Sequence, residues 1–412
     1  MTDKLRKLGD VDIKTIAITS ANGKCVSVYP QTLAFNIYSD LFSKWMTGEI
    51  ILRDAQNIQS LLPLVGNEVI NISFTTPSLE LGLSKDFFIY KMSEKQKLDR
   101  EDVYCLYFIS FEGIASRNVR ISKTFRGDSV SMLSEILGNS WMNSQKNLYG
   151  EIPKNRFVYC SNFWDASKNI EYICKHSVSA TDSPTFLFYE TNLGFHFNSL
   201  DTLMSNKNGV VFNFEISEYE KQMKGKDTAE ESTKKDYMQV QEVVYNNGFS
   251  FIDRVESGFY GGRVLSFDAT TGVYVEKQIE IENKNKLNSN DATLSDFIPA
   301  NPTNLLVLKP RAFNNIDNSG DNTDFDYEIL REGLFSRLRA QKILIKVFGR
   351  TDYMVGQKVS INVGKSGQTG KEPWDKYLSG NFLITAVKQN VTKNAFYSYL
   401  ELSKDSYKES VE

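Results

Sequence analysis

Residues Ser379–Asn390 read SGNFLITAVKQN: after Gly380 and Asn381 come six nearly unbroken apolar residues, and then the chain turns polar at once. A few residues later Ala395–Tyr407, AFYSYLELSKDSY, repeats the manner. Short apolar runs bounded by turn signals and rich in aromatic and β-branched residues read as strands. The chain therefore closes on two tightly spaced strands that carry no reactive side chain.

Working back from that pair, KILIKVFG (342–349) and KVSINVG (358–364) read as two further strands. Before them Tyr327, Leu330, Leu334 and Leu338 mark one helix face, flanked by Arg331, Arg337 and Arg339. The first 125 residues also read as strands. NEVINISF places Ile70, Ile72 and Phe74 on one face, and DVYCLYFISFEG alternates over Val103, Cys105, Tyr107, Ile109 and Phe111. Several strands with turns between them suggest a barrel or sandwich.

The period then changes. Val130, Leu133 and Leu137 recur at helical spacing, with Asp128 or Ser129 to cap the start and Gly138 to stop it. A second helix carries Ile170, Ile173 and Cys174, and two strands follow around Thr191–Gly194, giving a small mixed α/β unit. VVFNFEIS returns to strand, with Phe212, Phe214 and Ile216 inside. The polar stretch 218–237 is of mixed sign and reads as a mobile loop or fraying helix. Residues 283–296 and 313–326 read as Asn- and Asp-rich surface insertions.

Composition bounds the function. The chain has 412 residues, 41% hydrophobic and 24% charged, which fits two or three globular domains and not a disordered chain. Phe and Tyr number 27 and 20, which leans to β. With 48 basic and 51 acidic residues and no basic block, tight non-specific nucleic-acid binding is disfavoured. The four cysteines, Cys25, Cys105, Cys160 and Cys174, form no CxxC and read as reduced and mostly core. The charged start lacks an apolar signal region, and no run of 18 apolar residues occurs, so no membrane span is expected.

No stretch of the sequence forms a catalytic constellation. Two histidines, His176 and His196, leave little for acid–base work, and the Cys–His spacings do not fit a zinc site. GKSGQTGK (364–371) has Glu372 where a phosphate loop needs Ser or Thr. No nucleophile elbow is present. The expectation is no catalytic residue, no cofactor and no metal.

From Glu328 to Tyr407 the order of helix, strands and glycines resembles the C-terminal barrel of contractile-tail phage baseplate hub proteins. Gly349, Gly356, Gly380, Phe382, Thr385 and Asp405 fall in that pattern. More distant likenesses are late-control tail proteins and type VI secretion spike hubs. Phe111–Leu137, Thr185–Met204 and Glu256–Tyr274 resemble the same family in the same order. Gln389 stands near a position where many relatives carry histidine, a departure that touches no reactive group.

The resemblance implies a mainly β fold with α+β insertions: two similar antiparallel β-barrel tube domains plus a mixed α/β region. The first barrel would take 1–125 and the α/β domain 126–205. The second barrel would take 206–270 and 331–412, around an insertion at 271–330. It further implies a homotrimer that forms a pseudo-sixfold ring between a sixfold tail tube and a threefold central spike. DNA would pass through without specific binding. The partners implied are the spike, the tube protein and other baseplate proteins, in a virion tail assembled in the host cytoplasm. Two other classes are weighed: an OB-like nucleic-acid-binding barrel, with Tyr397 and Tyr399 to stack but scattered Lys388, Lys393 and Lys404, and a tail lysozyme, which needs a placed carboxylate pair.

Overall fold

The computed structural model of the chain describes residues 8–205, 212–216, 238–246, 251–256, 259–268, 272–279, 286–288, 304–308, 324–364 and 374–407, apart from 63, 78, 80, 99–100 and 394. The charged stretch 218–237, most of the two Asn-rich insertions, and residues 365–371 of the phosphate-loop look-alike lie outside the described residues.

The chain begins with β1 (Asp12–Thr19), β2 (Cys25–Ser27), β3 (Thr32–Asp40), β4 (Thr47–Asp54), α1 (Ile58–Leu61), β5 (Val69–Thr75), β6 (Leu83–Met92), β7 (Gln96–Leu98) and β8 (Glu101–Ser110). A mixed region follows: α2 (Phe111–Asn118), β9 (Arg120–Gly127), α3 (Ser129–Leu137), β10 (Leu148–Gly150), β11 (Phe157–Asp165), α4 (Ala166–His176), β12 (Phe186–Glu190), β13 (Phe195–Ser199) and α5 (Leu200–Ser205). Then come β14 (Phe212–Ile216), β15 (Glu242–Asn246), α6 (Phe251–Glu256), β16 (Gly262–Asp268), β17 (Val273–Ile279), β18 (Asn304–Leu308) and α7 (Asp324–Arg339). The chain closes with β19 (Gln341–Phe348), β20 (Lys358–Val363), β21 (Gly380–Thr392) and β22 (Phe396–Lys404). Of the described residues 49% are strand and 20% helix, so the fold is mainly β with α+β insertions.

Fourteen strands form one sheet in the order β15-β19-β22-β21-β3-β4-β8-β6-β5-β1-β2, with β7 beside β8. Strand β20 pairs with β21, and β14 lies parallel beside β20. Among the described residues no pairing joins the two ends of this path. The first and last thirds of the chain are thus fused through β21, the strand quoted at the outset. Gly380–Leu383 pair with β20, and Ala386–Thr392 pair with β3. The register on β22 shifts between Ile384 and Ala386, so Thr385 is the bulge at which β21 leaves one set of neighbours for the other.

The side chains follow that division. Phe382, Leu383, Ile384 and Val387 join a core with Leu400, Leu402 and residues of β19 and β20, while Val391 and Phe396 join a separate core with β1, β3–β6 and β8. A third core, Ile121 to Phe197, sits between α3, α4 and strands β9 and β11–β13. A small sheet, β17-β16-β18, lies against α7 through Val264, Ile279 and Ile329.

Local expectations hold where one face alone is apolar. Ile70, Ile72 and Phe74 are buried, and α3 begins at Asp128, whose carboxylate accepts from Ser131 N–H at 2.9 Å. Two expectations are corrected. In β8 the buried face is Tyr104, Leu106 and Phe108; Val103, Cys105, Tyr107 and Ile109 lie on the opposite, half-buried face, and Phe111 begins α2. Both faces of that strand are apolar, so alternation does not choose between them. All four cysteines are free, but only Cys174 is buried; Cys25 and Cys160 are exposed on strands with one solvated face.

Candidate functional site at the junction of the units

The motif residues gather around β21. Phe382 is fully buried, with the Lys404 ammonium over its ring at 4.9 Å. Thr385 Oγ1 donates to the Glu401 carboxylate at 2.8 Å, while its carbonyl accepts from Leu41 N–H at 2.8 Å, tying the corner to the end of β3. Asp405 accepts from Leu287 N–H at 3.2 Å and from Ser406 Oγ at 2.7 Å. The adjoining Asn288 acts as a clip. Its Nδ2 donates to the carbonyls of Asn381 and Ser406 at 3.0 Å each, and its Oδ1 accepts from Asn381 N–H at 2.8 Å.

Gly380 is required at that clip. Its φ is +136°, and a Cβ there would lie 2.7 Å from Asn288 Oδ1. Gly349 donates its N–H to Phe396 O at 2.8 Å and lies flat on the Phe396 ring, where a Cβ would come to 2.2 Å. Gly356 faces Tyr189 and Leu203 of the mixed region.

A second cluster escaped the sequence reading. Glu190, at the end of β12, is fully buried. Its Oε1 meets Lys85 Nζ of β6 at 2.9 Å and Lys146 Nζ at 2.8 Å. Its Oε2 accepts from Ser110 Oγ at 2.6 Å and Met46 N–H at 3.0 Å. Lys146 also meets Glu112 Oε2 at 2.6 Å, and Ser144 donates to Glu112 Oε1 at 2.6 Å. Lys85 donates in addition to Thr191 O at 2.6 Å.

The network thus joins β6, the end of β8 and the turn before β4 to the mixed region by buried charges. Burial alone would raise the pKa of Glu190, but the two ammoniums outweigh it and hold it down at about 2. Burial lowers the pKa of Lys85 despite Glu190. For Lys146 the carboxylates on two sides overcome burial, and its pKa is raised. The directions differ between the two lysines. The geometry, with two ammoniums facing its carboxylate, supports the charged state of Glu190 and of both lysines. His196, beside this cluster, is kept neutral: burial and then Lys85 bring its pKa to about 4, and Nε2 lies 2.8 Å from Thr191 Oγ1.

Two further seams meet here. Thr351, just after β19, is fully buried. Its N–H donates to Thr76 Oγ1 at 3.0 Å, its hydroxyl donates to Leu81 O, and its carbonyl accepts from Asn192 Nδ2 at 3.0 Å. One residue therefore touches the β5–β6 loop and the β12–β13 turn at once. Arg331 of α7 donates to the carbonyls of Cys174, Pro184 and Phe186 at 3.0, 2.8 and 3.3 Å. What such an arrangement does chemically is hold backbones in place, through donors and acceptors that engage one another inside the protein. Among the described residues no group of three or more His, Cys, Asp or Glu could hold a metal ion, and no helix is long and apolar enough to cross a membrane.

No protein-family model matches the sequence, and no curated protein matches it. Solved structures do. The chain is similar to the prophage MuSo2 43 kDa tail protein from Shewanella oneidensis, at TM-score 0.58 and 8% identity over 95% of this chain and 99% of that one. It is similar to the tail protein from Neisseria meningitidis MC58, at TM-score 0.56 and 9% identity over 95% and 96%. It is also similar to prophage tail protein gp18 from Listeria monocytogenes EGD-e, at TM-score 0.50 and 10% identity over 95% and 94%. The fold is that of phage tail proteins, along nearly the whole chain, as the glycine-and-strand resemblance implied.

Proposed function

We propose that the chain is a structural, non-enzymatic hub protein of a contractile phage-tail baseplate. Three copies would form a ring in which each chain supplies two strand-built units, at 1–125 and at 206–270 with 331–412, flanking the α/β domain 126–205 and the insertion 271–330. Six units of two alternating kinds match a sixfold tail tube on one side and a threefold spike on the other. The observation that carries this reading is the passage of β21 through both units, with Thr385 at the corner. A symmetry adaptor needs two units held in fixed relation within one chain, and one continuous sheet supplies that. The tail-protein fold over 95% of the chain supports it. Averaged images of isolated baseplates test it: three copies in a threefold hub are expected, and a hub of true sixfold symmetry with six copies of this chain refutes it.

The sheet face opposite the cores supports a passage that DNA traverses without sticking. Successive strands there carry Glu242, Lys346, Tyr399, Lys388 and Tyr38 in one row, and Asn390, Asn36 and Glu49 in the next. The charges balance, so phosphate finds no uncompensated basic surface. A second reading draws on the same face. Lys388 lies 5.5 Å from both the Tyr38 and Tyr399 rings, and Lys346 lies 4.7 Å from Tyr397, which is the aromatic-plus-basic platform that an OB-like nucleic-acid binder uses. Titration with double- and single-stranded DNA across salt separates the two. A hub wall leaves affinity weaker than micromolar near physiological salt, whereas tight binding with a steep salt slope favours the binder.

A further inference from the structure

The strand order of the large sheet repeats. One set runs β15-β19-β22-β21, the next runs β3-β4-β8-β6, and β21 joins them by pairing with β3. The fourth strand of each set is built alike. Strand β21 has β20 at its side over Gly380–Leu383 and bulges at Thr385 against β22. Strand β6 has β5 at its side over Leu83–Phe88 and bulges at Tyr90 against β8. Just before each bulge an isoleucine N–H donates to the residue that precedes the flanking strand: Ile384 to Gln357 O at 2.9 Å, and Ile89 to Glu68 O at 3.0 Å.

The two sets differ beyond the bulge. After Thr385, Ala386–Thr392 pair with β3. After Tyr90 the matching edge, which β7 continues, pairs with no backbone among the described residues; Gln59 of α1 reaches Met92 and Lys95 through side chains alone. Strand β15 holds in its set the place of β3. It pairs with β19 on one side and with no described strand on the other. Matched rung by rung across the two sets, Met92 answers to Val387, Val244 to Asn36 and Tyr245 to Ile37. Val387, Asn36 and Ile37 are buried at the junction within the chain, whereas Met92, Val244 and Tyr245 are 39, 59 and 39% exposed. Apolar side chains on an unpaired edge are a template for a further strand.

We infer that the β6–β7 edge of one copy pairs with β15 of a second copy, as β21 pairs with β3 within the chain. This pairing rests on the trimer reading and deepens it: the contact is head-to-tail, so three such junctions close a ring and leave neither edge open. The junction within the chain also supplies the register. Gln96 lies opposite Val103 of β8, which answers to Tyr397, the residue opposite Asn390. Gln96 of one copy therefore faces Val244 of the next, as Asn390 faces Asn36. Side chains on that rung meet: Asn390 Nδ2 donates to Asn36 Oδ1 at 2.6 Å.

The test uses the full chain with Cys25→Ser and Cys160→Ser, in sedimentation and on non-reducing gels. Gln96 and Val244 are both exposed, so changes there leave the fold of one copy alone. Gln96→Cys with Val244→Cys gives covalent dimers and trimers on oxidation, while either cysteine alone gives monomer, since a head-to-tail rung joins unlike residues. Gln96→Lys with Val244→Lys sets like charges on each rung and raises the trimer dissociation constant about tenfold, and Gln96→Lys with Val244→Glu restores it. Covalent dimers from a single cysteine overturn the head-to-tail pairing. A wild-type trimer that shows neither the cross-link nor a response to the paired lysines overturns the strand pairing alone. A wild-type chain that stays monomeric at every concentration overturns the trimer reading together with it.

Discussion

Replacing Glu190 by Gln tests whether the buried network holds the mixed region to the first sheet unit. Gln is the same size, so no cavity opens. One amide oxygen can still accept from Ser110 and Met46, but the amide nitrogen then faces Lys85 and Lys146 where a carboxylate oxygen stood at 2.9 and 2.8 Å. The cost follows from the pKa. A carboxyl lowered from 4.5 to about 2 has its ionised form stabilised by about 3 kcal/mol, a figure within the range for removing one partner of a buried ion pair. The sign with pH follows too. The folded pKa lies below the unfolded one, so this stability is fully present above about pH 4.5 and is lost as pH falls towards 2. Thermal melting of wild type and Glu190→Gln from pH 3 to 8 is the assay. The variant should melt several degrees lower at neutral pH, and the gap should narrow on acidification. Added salt should change the gap little, since buried pairs are weakly screened. Equal melting at pH 7, or a gap that stays constant down to pH 3, refutes the electrostatic account.

Three other outcomes are expected. Gly380→Val drives a branched side chain into Asn288 at a φ of +136°, so soluble yield or assembly falls; normal assembly with unchanged melting would refute the need for glycine there. Lys404, whose pKa burial lowers to about 8, binds its proton less readily folded than unfolded, so the wild type gains stability as pH rises from about 8 to 10.5, a gain that Lys404→Met lacks when both are melted across that range. Thr351→Val removes the hydroxyl that donates to Leu81 O in a buried seam and leaves the Thr351 N–H on Thr76 Oγ1 in place, at a cost of about 1–3 kcal/mol read by denaturant unfolding; a cost near zero would show that this hydroxyl does not hold the seam.

What the sequence discloses and what it hides divide along sequence distance. The helices at 129–137 and 166–176 are legible because caps and apolar spacing act within one or two turns. The closing strands are legible because β-branched and aromatic runs are local. The face of β8 is not, because Val103 to Ile109 lie on a surface that neighbouring strands half cover, which makes both faces apolar. Glu190 hides for another reason. It ends the run TFLFYE as an ordinary acid would, and its partners lie at 46, 85, 110 and 146, brought together only by the sheet register. Arg331 reads as a flank of a helix face for the same reason, although the carbonyls it binds lie some 150 positions away. The glycine pattern marks places where backbones and rings press close, but not what presses there: for Gly380 it is an amide from residue 288.

The corner at Thr385 also has a mechanical consequence. Ala386–Thr392 lie antiparallel to Ala34–Asp40 over seven register pairs, and β22 braces the other side of β21. Pulling the two ends of the molecule apart along the strand direction loads those rungs in shear, side by side, instead of peeling them one at a time. They share the force and fail together. A chain wired in this way passes a force applied at one end on to the other as a stiff strut and does not absorb it by bending at a hinge.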